Sequence, residues 1–388
     1  MDGSGPLNES EAAVARPAAY EMGGAGKTEA PRGETARAED RPGAQRPREV
    51  ARVTVVLPVR NEEAHVGGTL ARILAQDYPG ELVEILVVDG RSGDRTREVV
   101  LEIAERHPNV RLLDNPRRLP SSGRNVGFRE GRGDIFVVID GHSYIEDDQL
   151  LRNIVREFEE TGADCLGRPQ PLDPPGITPF QRAVALARAS PLGHSTKSHI
   201  YSNVRGFVSP VSCAAVYRRR VFEIVGYVDE DFDACEDVEF NYRIGRAGLA
   251  CYLSPTFRVR YYPRDTLGKL FRQMLRYGRG RARFLAKHPE ATNFDTLVPP
   301  VFVLGLLALP VAWGLSKPVG LALGALYGLY ALGVFVQAAW LGIARGPWNF
   351  LYGPPILLAI HAGLGLGFLG GLARILFARV SGRRPAPG

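Results

Sequence analysis

Three short apolar runs, VTVVLPV (53–59), EILVVD (84–89) and DIFVVID (134–140), do most to limit what this chain can fold into. Each is rich in Val or Ile and lacks polar alternation, the pattern of a strand buried on both faces. Helical periodicity fills the intervals at Val66–Gln76 and Thr96–Arg106, and a short strand is expected at Val110–Leu113. Strands alternating with helices predict an α/β domain on a doubly wound, mostly parallel sheet. The second and third runs end in Asp89 and Asp140, and open α/β sheets bind ligands at the carboxyl ends of their strands.

Beyond residue 168 the pattern weakens. Pro169 to Pro210 is rich in Pro, Gly, Ser and His and reads as an irregular connection, with 188–207 a candidate cover for a substrate or acceptor. A strand at SCAAVYRR (212–219) and a helix at Val238–Ala247 restore order. Residues 266–290 read as a basic amphipathic helix at a membrane interface, carrying Lys269, Arg272, Arg276, Arg279, Arg281, Arg283 and Lys287.

Three apolar runs follow, Leu297–Leu315, Val319–Leu341 and Leu351–Ala373. Each is close to the roughly 20 residues that cross a bilayer as a helix. Pro299, Pro300 and Pro310 interrupt the first, so 297–373 is read as two or three transmembrane helices. The positive-inside rule puts the Arg-rich segment and the domain before it in the cytosol, at the plasma membrane. Three spans would carry the basic tail, 374–388 with Arg374, Arg379, Arg383 and Arg384, to the far side against the same rule; two would not.

A net charge of +6 and an isoelectric point near 9.2 suit nucleic acid, anionic lipid or a phosphorylated ligand. No zinc-ligand spacing, helix-turn-helix or RNA-binding signature is present, so no nucleic-acid partner is expected. Many basic residues flank apolar segments, which points to membrane lipids. Cys165, Cys213, Cys235 and Cys251 form no CxxC pair and read as free thiols in a reducing compartment. Residues 1–50, rich in Gly, Ala, Pro, Glu and Arg, read as a disordered tail without a secretory signal, ahead of a domain over 51–265.

The candidate chemistry lies at the strand ends. Asp89 is placed to accept hydrogen bonds from a base or ribose, whereas Asp94, two residues before Thr96, suits a helix cap. Asp140 and His142, at i and i+2 in a turn, can face one cation; carboxylate oxygen suits Mg²⁺ or Mn²⁺, and imidazole favours Mn²⁺. Glu236 and Asp237 precede a helix, where a carboxylate serves either as a general base or as an N-terminal charge. Gln273, Arg276 and Tyr277 share a helical face, and an Arg there suits a diphosphate or an anionic headgroup.

The set PVRNEE (58–63), VVDGRSGDRT (87–96), GRNVGFREGRGDIFVVIDGHS (123–143), VGYVDEDFDACEDVEFNYRIGRAG (225–248) and QMLRYG (273–278) resembles family 2 glycosyltransferases of the GT-A fold. It is most like the membrane-attached enzymes of exopolysaccharide assembly of the succinoglycan type. The resemblance covers about 52–290. It implies a GT-A type mixed sheet and a nucleotide pocket lined by Pro58, Asn61, Glu62 and Asp89. Asp140–His142 falls at the family's Asp-x-Asp metal motif, Asp237 at the base of its Glu-Asp pair, and Gln273, Arg276 and Tyr277 at Gln-x-x-Arg-Trp. His142 stands where the family has Asp and Tyr277 where it has Trp; the second departure, with a short apolar region, argues against processive polymerisation.

The expected function is inverting transfer of a sugar from a nucleotide diphosphate, UDP-linked, to a lipid-linked saccharide, with Mn²⁺ or Mg²⁺. The donor site would comprise Pro58, Asn61, Glu62, Asp89, Asp140, Gln273, Arg276 and Tyr277, and the catalytic pair would be Asp237 with Glu236. The alternatives are a polyprenyl-phosphate sugar synthase, a non-catalytic nucleotide- or glycan-binding membrane subunit, and a nucleotidyltransferase.

Overall fold

The computed structural model describes residues 51–195, 198–291 and 293–382; the expected tail at 1–50 and the last residues of the basic tail, 383–388, lie outside the described residues. Four parallel strands form one half of the sheet: β1 (Val53–Val59), β2 (Val83–Asp89), β3 (Val110–Asp114) and β4 (Ile135–Val138), in the order β3-β2-β1-β4. Their side chains alternate between two cores. Val55 and Leu57 join one cluster with Leu70, Ile85 and Ile154, while Val56 joins Leu86, Phe128 and Phe136 on the other face. Burial on both faces explains the unbroken apolar runs, each enclosed Val or Leu contributing about 1.5–3 kcal/mol.

The crossovers are α1 (Val66–Leu74), α2 (Thr96–Ala104) and α3 (Pro120–Glu130). Helix α3 lies hard against β1: a Cβ on Gly127 would come within 2.3 Å of Val56 Cγ1, so only glycine admits this approach. The register sets Val59 beside Asp89 and Asp89 beside Asp114, lining up the carboxyl ends of three strands.

The other half makes the sheet mixed. β8 (Ala214–Arg218) pairs antiparallel with β4, followed by β6 (Cys165–Gly167), β9 (Cys251–Leu253) and β7 (Gly206–Val208). A two-stranded ribbon joins β5 (Ser143–Tyr144) to β10 (Arg260–Tyr261). The strand expected over 134–140 leaves the sheet after Val138, which puts Asp140 and His142 in the following turn. The stretch 169–210 is more ordered than its composition suggested. It contains α5 (Pro179–Arg188), opened by a capping box in which Thr178 and Gln181 bond reciprocally, with Pro179 at the first helical position.

Helices α4 (Leu150–Thr161), α6 (Arg219–Val225) and α7 (Glu236–Arg246) complete the domain, and α8 (Leu267–Lys287) leads out of it. Then come α9 (Phe294–Leu315), α10 (Lys317–Arg345) and α11 (Trp348–Val380), three helices long and apolar enough to cross a membrane. The prolines at 299, 300 and 310 lie inside a continuous α9. The most apolar stretches of α9 and α10 are 11% buried but that of α11 is 50% buried, with α8 and α5 lying against it. The apolar face of α8 packs on α11. A Cβ on Gly278 would lie 2.2 Å from the Leu364 carbonyl oxygen, and one on Gly367 2.1 Å from that of Leu275. Small residues thus let the two backbones touch, as in membrane helix pairs.

Candidate active site

The loops after β1 and β2 are joined at the carboxyl edge of the sheet. Asn61 adopts a left-handed backbone (φ 55°), and its Oδ1 accepts from Gly93 N at 2.8 Å while its own N–H donates to Ser92 Oγ at 2.9 Å. Glu62 N donates to Thr96 Oγ1 at 2.8 Å, and Glu63 Oε2 accepts from Arg95 N at 2.9 Å. Asp89 is fully enclosed; it accepts from Ser92 Oγ at 2.5 Å and from Arg97 Nη1 at 2.9 Å, and so fixes the loop. Asp94 Oδ1 accepts from Thr96 N at 3.1 Å, but Asp94 is not the cap expected for it: the N-cap of α2 is Arg95, and no side chain caps it. Pro58 pairs with Val88 in the register, beside α3. Ser92 and Arg97 had no assigned role, although Arg97 is the second residue of α2, the helix that follows the Asp89 loop.

The turn after β4 meets this edge. His142 Nδ1 lies 2.8 Å from Glu62 Oε1. Burial opposes the imidazolium, but the bond to Glu62 and the carboxylates of Glu62 and Asp140 prevail and raise its pKa. Asp140 is half-buried, and among the described residues its carboxylate joins no hydrogen bond or ion pair. No group of three or more His, Cys, Asp or Glu among these residues could hold a metal unaided. The donor set still fits a hard divalent cation: Asp140 offers oxygen and His142 its Nε2, and Mg²⁺-type ions are commonly held by one or two side chains plus substrate phosphates.

The acidic pair sits at the start of α7. Cys235 just before it is left-handed (φ 62°, ψ 19°), an uncommon conformation for a residue with a side chain. Beyond it the two acids have opposite fates: Glu236 is 6% exposed, whereas Asp237 is exposed. Glu236 Oε1 lies 3.3 Å from Nη1 of Arg124, which α3 supplies. Burial pushes the Glu236 carboxyl up to about 7, with Arg124 opposing and Asp237 reinforcing the shift. Burial also acts against the Arg124 cation, but Glu236, Asp237 and Asp140 outweigh it and raise its pKa. Arg124 is therefore the charge common to all three carboxylates. It stood in the GRNVGF stretch without an assigned role.

The candidates on α8 divide. Gln273 Nε2 donates to Tyr277 Oη at 3.1 Å, and Arg276 Nε lies 3.7 Å from Asp233 Oδ2. Tyr277 is bound in turn through its main chain, whose carbonyl accepts from Cys235 Sγ. The structure thus gathers Asp140, Glu236 and Asp237 around Arg124, keeps Pro58, Asn61, Glu62 and Asp89 at the β1–β2 edge, and connects α8 to the acidic pair through Cys235.

The sequence matches the family described as glycosyl transferase family 2 over residues 54–226. A succinoglycan biosynthesis protein, ExoA, of Rhizobium meliloti is 32% identical over 81% of this chain and 93% of its own length. The dolichyl N-acetyl-alpha-D-glucosaminyl phosphate 3-beta-D-2,3-diacetamido-2,3-dideoxy-beta-D-glucuronosyltransferase of Methanococcus voltae is 25% identical over 83% of this chain and 97% of its own. Among solved structures, a mannosyltransferase from Pyrobaculum calidifontis, in complex with GDP-Man and Mn²⁺, superposes with a TM-score of 0.53 at 21% identity, covering 83% of this chain and 91% of that one. That likeness places the domain in the GT-A fold.

Proposed function

The chain belongs to glycosyl transferase family 2 and is a glycosyltransferase of polysaccharide or glycan synthesis, and from that premise we propose an inverting transfer from a UDP-linked sugar to a lipid-linked saccharide at the cytosolic face of the plasma membrane. The observation that carries the reading is the separation of the acidic pair, with Glu236 buried on Arg124 and Asp237 open to the site edge.

In this reading Asp237 takes the proton of the acceptor hydroxyl as that oxygen bonds to the anomeric carbon. The bond from that carbon to the diphosphate breaks, the diphosphate leaves with the electron pair, and the configuration inverts. Glu236 and Arg124 hold the start of α7 and set the local charge. Asn61, Glu62 and the loop fixed by Asp89 shape the nucleotide pocket beside Pro58. Gln273, Arg276 and Tyr277 close the site from α8, with Arg276 available to the leaving diphosphate. A divalent ion, Mn²⁺ or Mg²⁺, held by Asp140, His142 and diphosphate oxygens would supply charge neutralisation at the leaving group.

The names of similar proteins support the substrate classes. The archaeal relative is named for a dolichyl-phosphate saccharide acceptor, and the structural neighbour holds GDP-Man with Mn²⁺. The test is a screen of UDP- and GDP-sugars for metal-dependent thermal protection and slow hydrolysis by the detergent-purified full chain. A nucleotide at about 100 times its Kd stabilises by roughly 2.7 kcal/mol, enough to rank donors. The donor found is then offered with polyprenyl diphosphate saccharide and with bare polyprenyl phosphate; transfer to the bare phosphate alone would indicate a polyprenyl-phosphate sugar synthase. Absence of protection and hydrolysis with every nucleotide sugar would defeat the reading. Cleavage within 53–290 by protease outside intact cells would defeat the cytosolic placement.

A further inference from the structure

A half-buried group of basic and phenolic side chains lies between the end of α5, the segment after it and α8, and apart from Tyr277 the transfer chemistry above leaves it without a task. Arg188 ends α5, and its Cζ is 5.9 Å from the centre of the Tyr201 ring. The His194 ring lies 5.1 Å from that same ring. Burial acts against the Arg188 cation, yet Tyr201 and Tyr277 together raise its pKa, so both phenols face it. The His194 Nε2 atom is enclosed and has no hydrogen-bond partner. Burial, with Arg188 and Arg281 adding to it, depresses the His194 pKa to about 4, so the imidazole is neutral and two guanidinium groups act on it.

Among the described residues neither arginine has a carboxylate partner. Among the described residues Arg188 and Arg281 join no ion pair, whereas Arg276 is held by Asp233, Arg243 by Glu239 and Lys287 by Asp229. Cations without a carboxylate partner in a partly desolvated site are unfavourable unless an anion completes it. Arginine is the residue suited to oxyanions, through paired N–H donors.

The surroundings narrow the anion's identity. The segment after α5 is fastened to the membrane-type helices: Gln337 Nε2 donates to Ser190 Oγ at 2.7 Å, and His361 Nε2 lies 2.7 Å from the Leu192 carbonyl. Ala183, Val184 and Ala187 of α5 share a core with Met274, Ile356 and Ile360. On the other side, Arg281 acts on Cys235, the neighbour of the acidic pair. The group therefore lies between the acidic pair, through Arg281 and Cys235, and the apolar helices.

We propose that Arg188 and Arg281, flanked by His194, Tyr201 and Tyr277, bind the phosphate or diphosphate head of an amphiphilic acceptor whose apolar chain stays with the membrane helices. Assigning this anion to the acceptor rests on the glycosyl-transfer reading; the anion site itself does not.

The test is direct binding, without turnover, to the detergent-purified full chain. The probes are farnesyl diphosphate, inorganic diphosphate, farnesol, anionic phospholipid and UDP, each with wild type, Arg188→Gln and Arg281→Gln. Farnesyl diphosphate should bind the wild type more tightly than the other lipids and inorganic diphosphate, and each variant should weaken it by about tenfold or more, as expected for a lost charged contact. UDP affinity should not change. Equal farnesyl diphosphate binding by wild type and both variants overturns the site. Variants that lose UDP in parallel show a donor site instead, and inorganic diphosphate or phospholipid binding as tightly as farnesyl diphosphate overturns the acceptor assignment. If one variant fails to fold, the other carries the test. Because no transfer is needed, specific binding by a protein that hydrolyses no nucleotide sugar would uphold the anion site while the glycosyl-transfer reading failed.

Discussion

The thiol of Cys235 donates to the main-chain carbonyl of Tyr277 across 3.7 Å, joining the residue before the acidic pair to the helix that lies on α11. Gly280 allows it: a Cβ there would come within 2.4 Å of the Ala234 carbonyl oxygen and 3.0 Å of Cys235 Sγ. Cys235 also holds a left-handed backbone, which typically costs of order 1–3 kcal/mol and persists where the surroundings enforce it. The position of the acids is thus set by α8, and that of α8 by the glycine contacts with α11.

Gly280→Ala should then act on turnover more than on donor binding. The new methyl group meets main-chain atoms that cannot swing away, so α8 and the start of α7 must separate. We expect kcat to fall by about tenfold or more, since small misplacements of catalytic groups can cost up to about 10², while UDP affinity falls less, because only its α8 contacts move and its loops at the β1–β2 edge stay in place. Wild-type kcat in this variant would show that α8 does not seat the acids.

Asp140→Ala probes the cation. If Asp140 and His142 share an ion with the donor diphosphate, chelation should abolish transfer, and Mn²⁺ should restore it at least as well as Mg²⁺ because of the imidazole. The variant should lose donor affinity as well as turnover. Full activity of the wild type in chelator would leave charge neutralisation to Arg124 and Arg276.

The sheet and the three long helices were legible because burial on both faces, or the apolar length of a span, writes itself into consecutive residues. Helix α5 was not, although Thr178-Pro-Phe-Gln181 carried its start signal, because Pro and Gly on either side masked it. The positions of Asp89, Asp140 and the acidic pair at element ends could be read from the sequence. Their partners could not: Arg124 reaches Glu236 across 112 residues and Arg97 closes on Asp89 only after the chain turns back. The α8–α11 seam was hidden because glycine at 278, 363 and 367 reads as flexibility until another backbone fills the space.

Glu236 predicts a pH dependence of stability. Its carboxyl is raised from 4.5 to about 7 by burial, so between these values the folded protein holds a proton that the unfolded chain has released. A raised carboxyl contributes stability that is fully present below the unfolded value and is lost as pH rises through the folded one. At about 1.4 kcal/mol per unit, the change is on the order of 3 kcal/mol. In thermal melts from about pH 5 to about pH 8, the wild type should lose stability relative to Glu236→Gln up to about pH 7 and then run parallel to it. A constant difference across that range would mean that Arg124 keeps Glu236 ionised throughout.

Asp237→Asn tests the proposed base. The amide keeps the size of the side chain and its contact with the Val238 N–H, which the carboxylate now accepts at 2.9 Å, but it cannot take a proton at neutral pH. Folding and donor affinity should therefore change little, because Asp237 is exposed and the nucleotide loops are held by Asn61 and Asp89. General-base catalysis typically contributes about 10²–10⁴-fold, so kcat should fall by about 10² or more with the donor Kd preserved. Glu236→Gln, which alters a buried partner of Arg124 and not the proton acceptor, should cost less turnover. If both acids served only the start of α7, each substitution would instead lower stability by on the order of 1 kcal/mol and leave turnover nearly intact. Measuring kcat, donor Kd and melting temperature on the two variants separates these cases, and near wild-type kcat in Asp237→Asn would rule out Asp237 as the base.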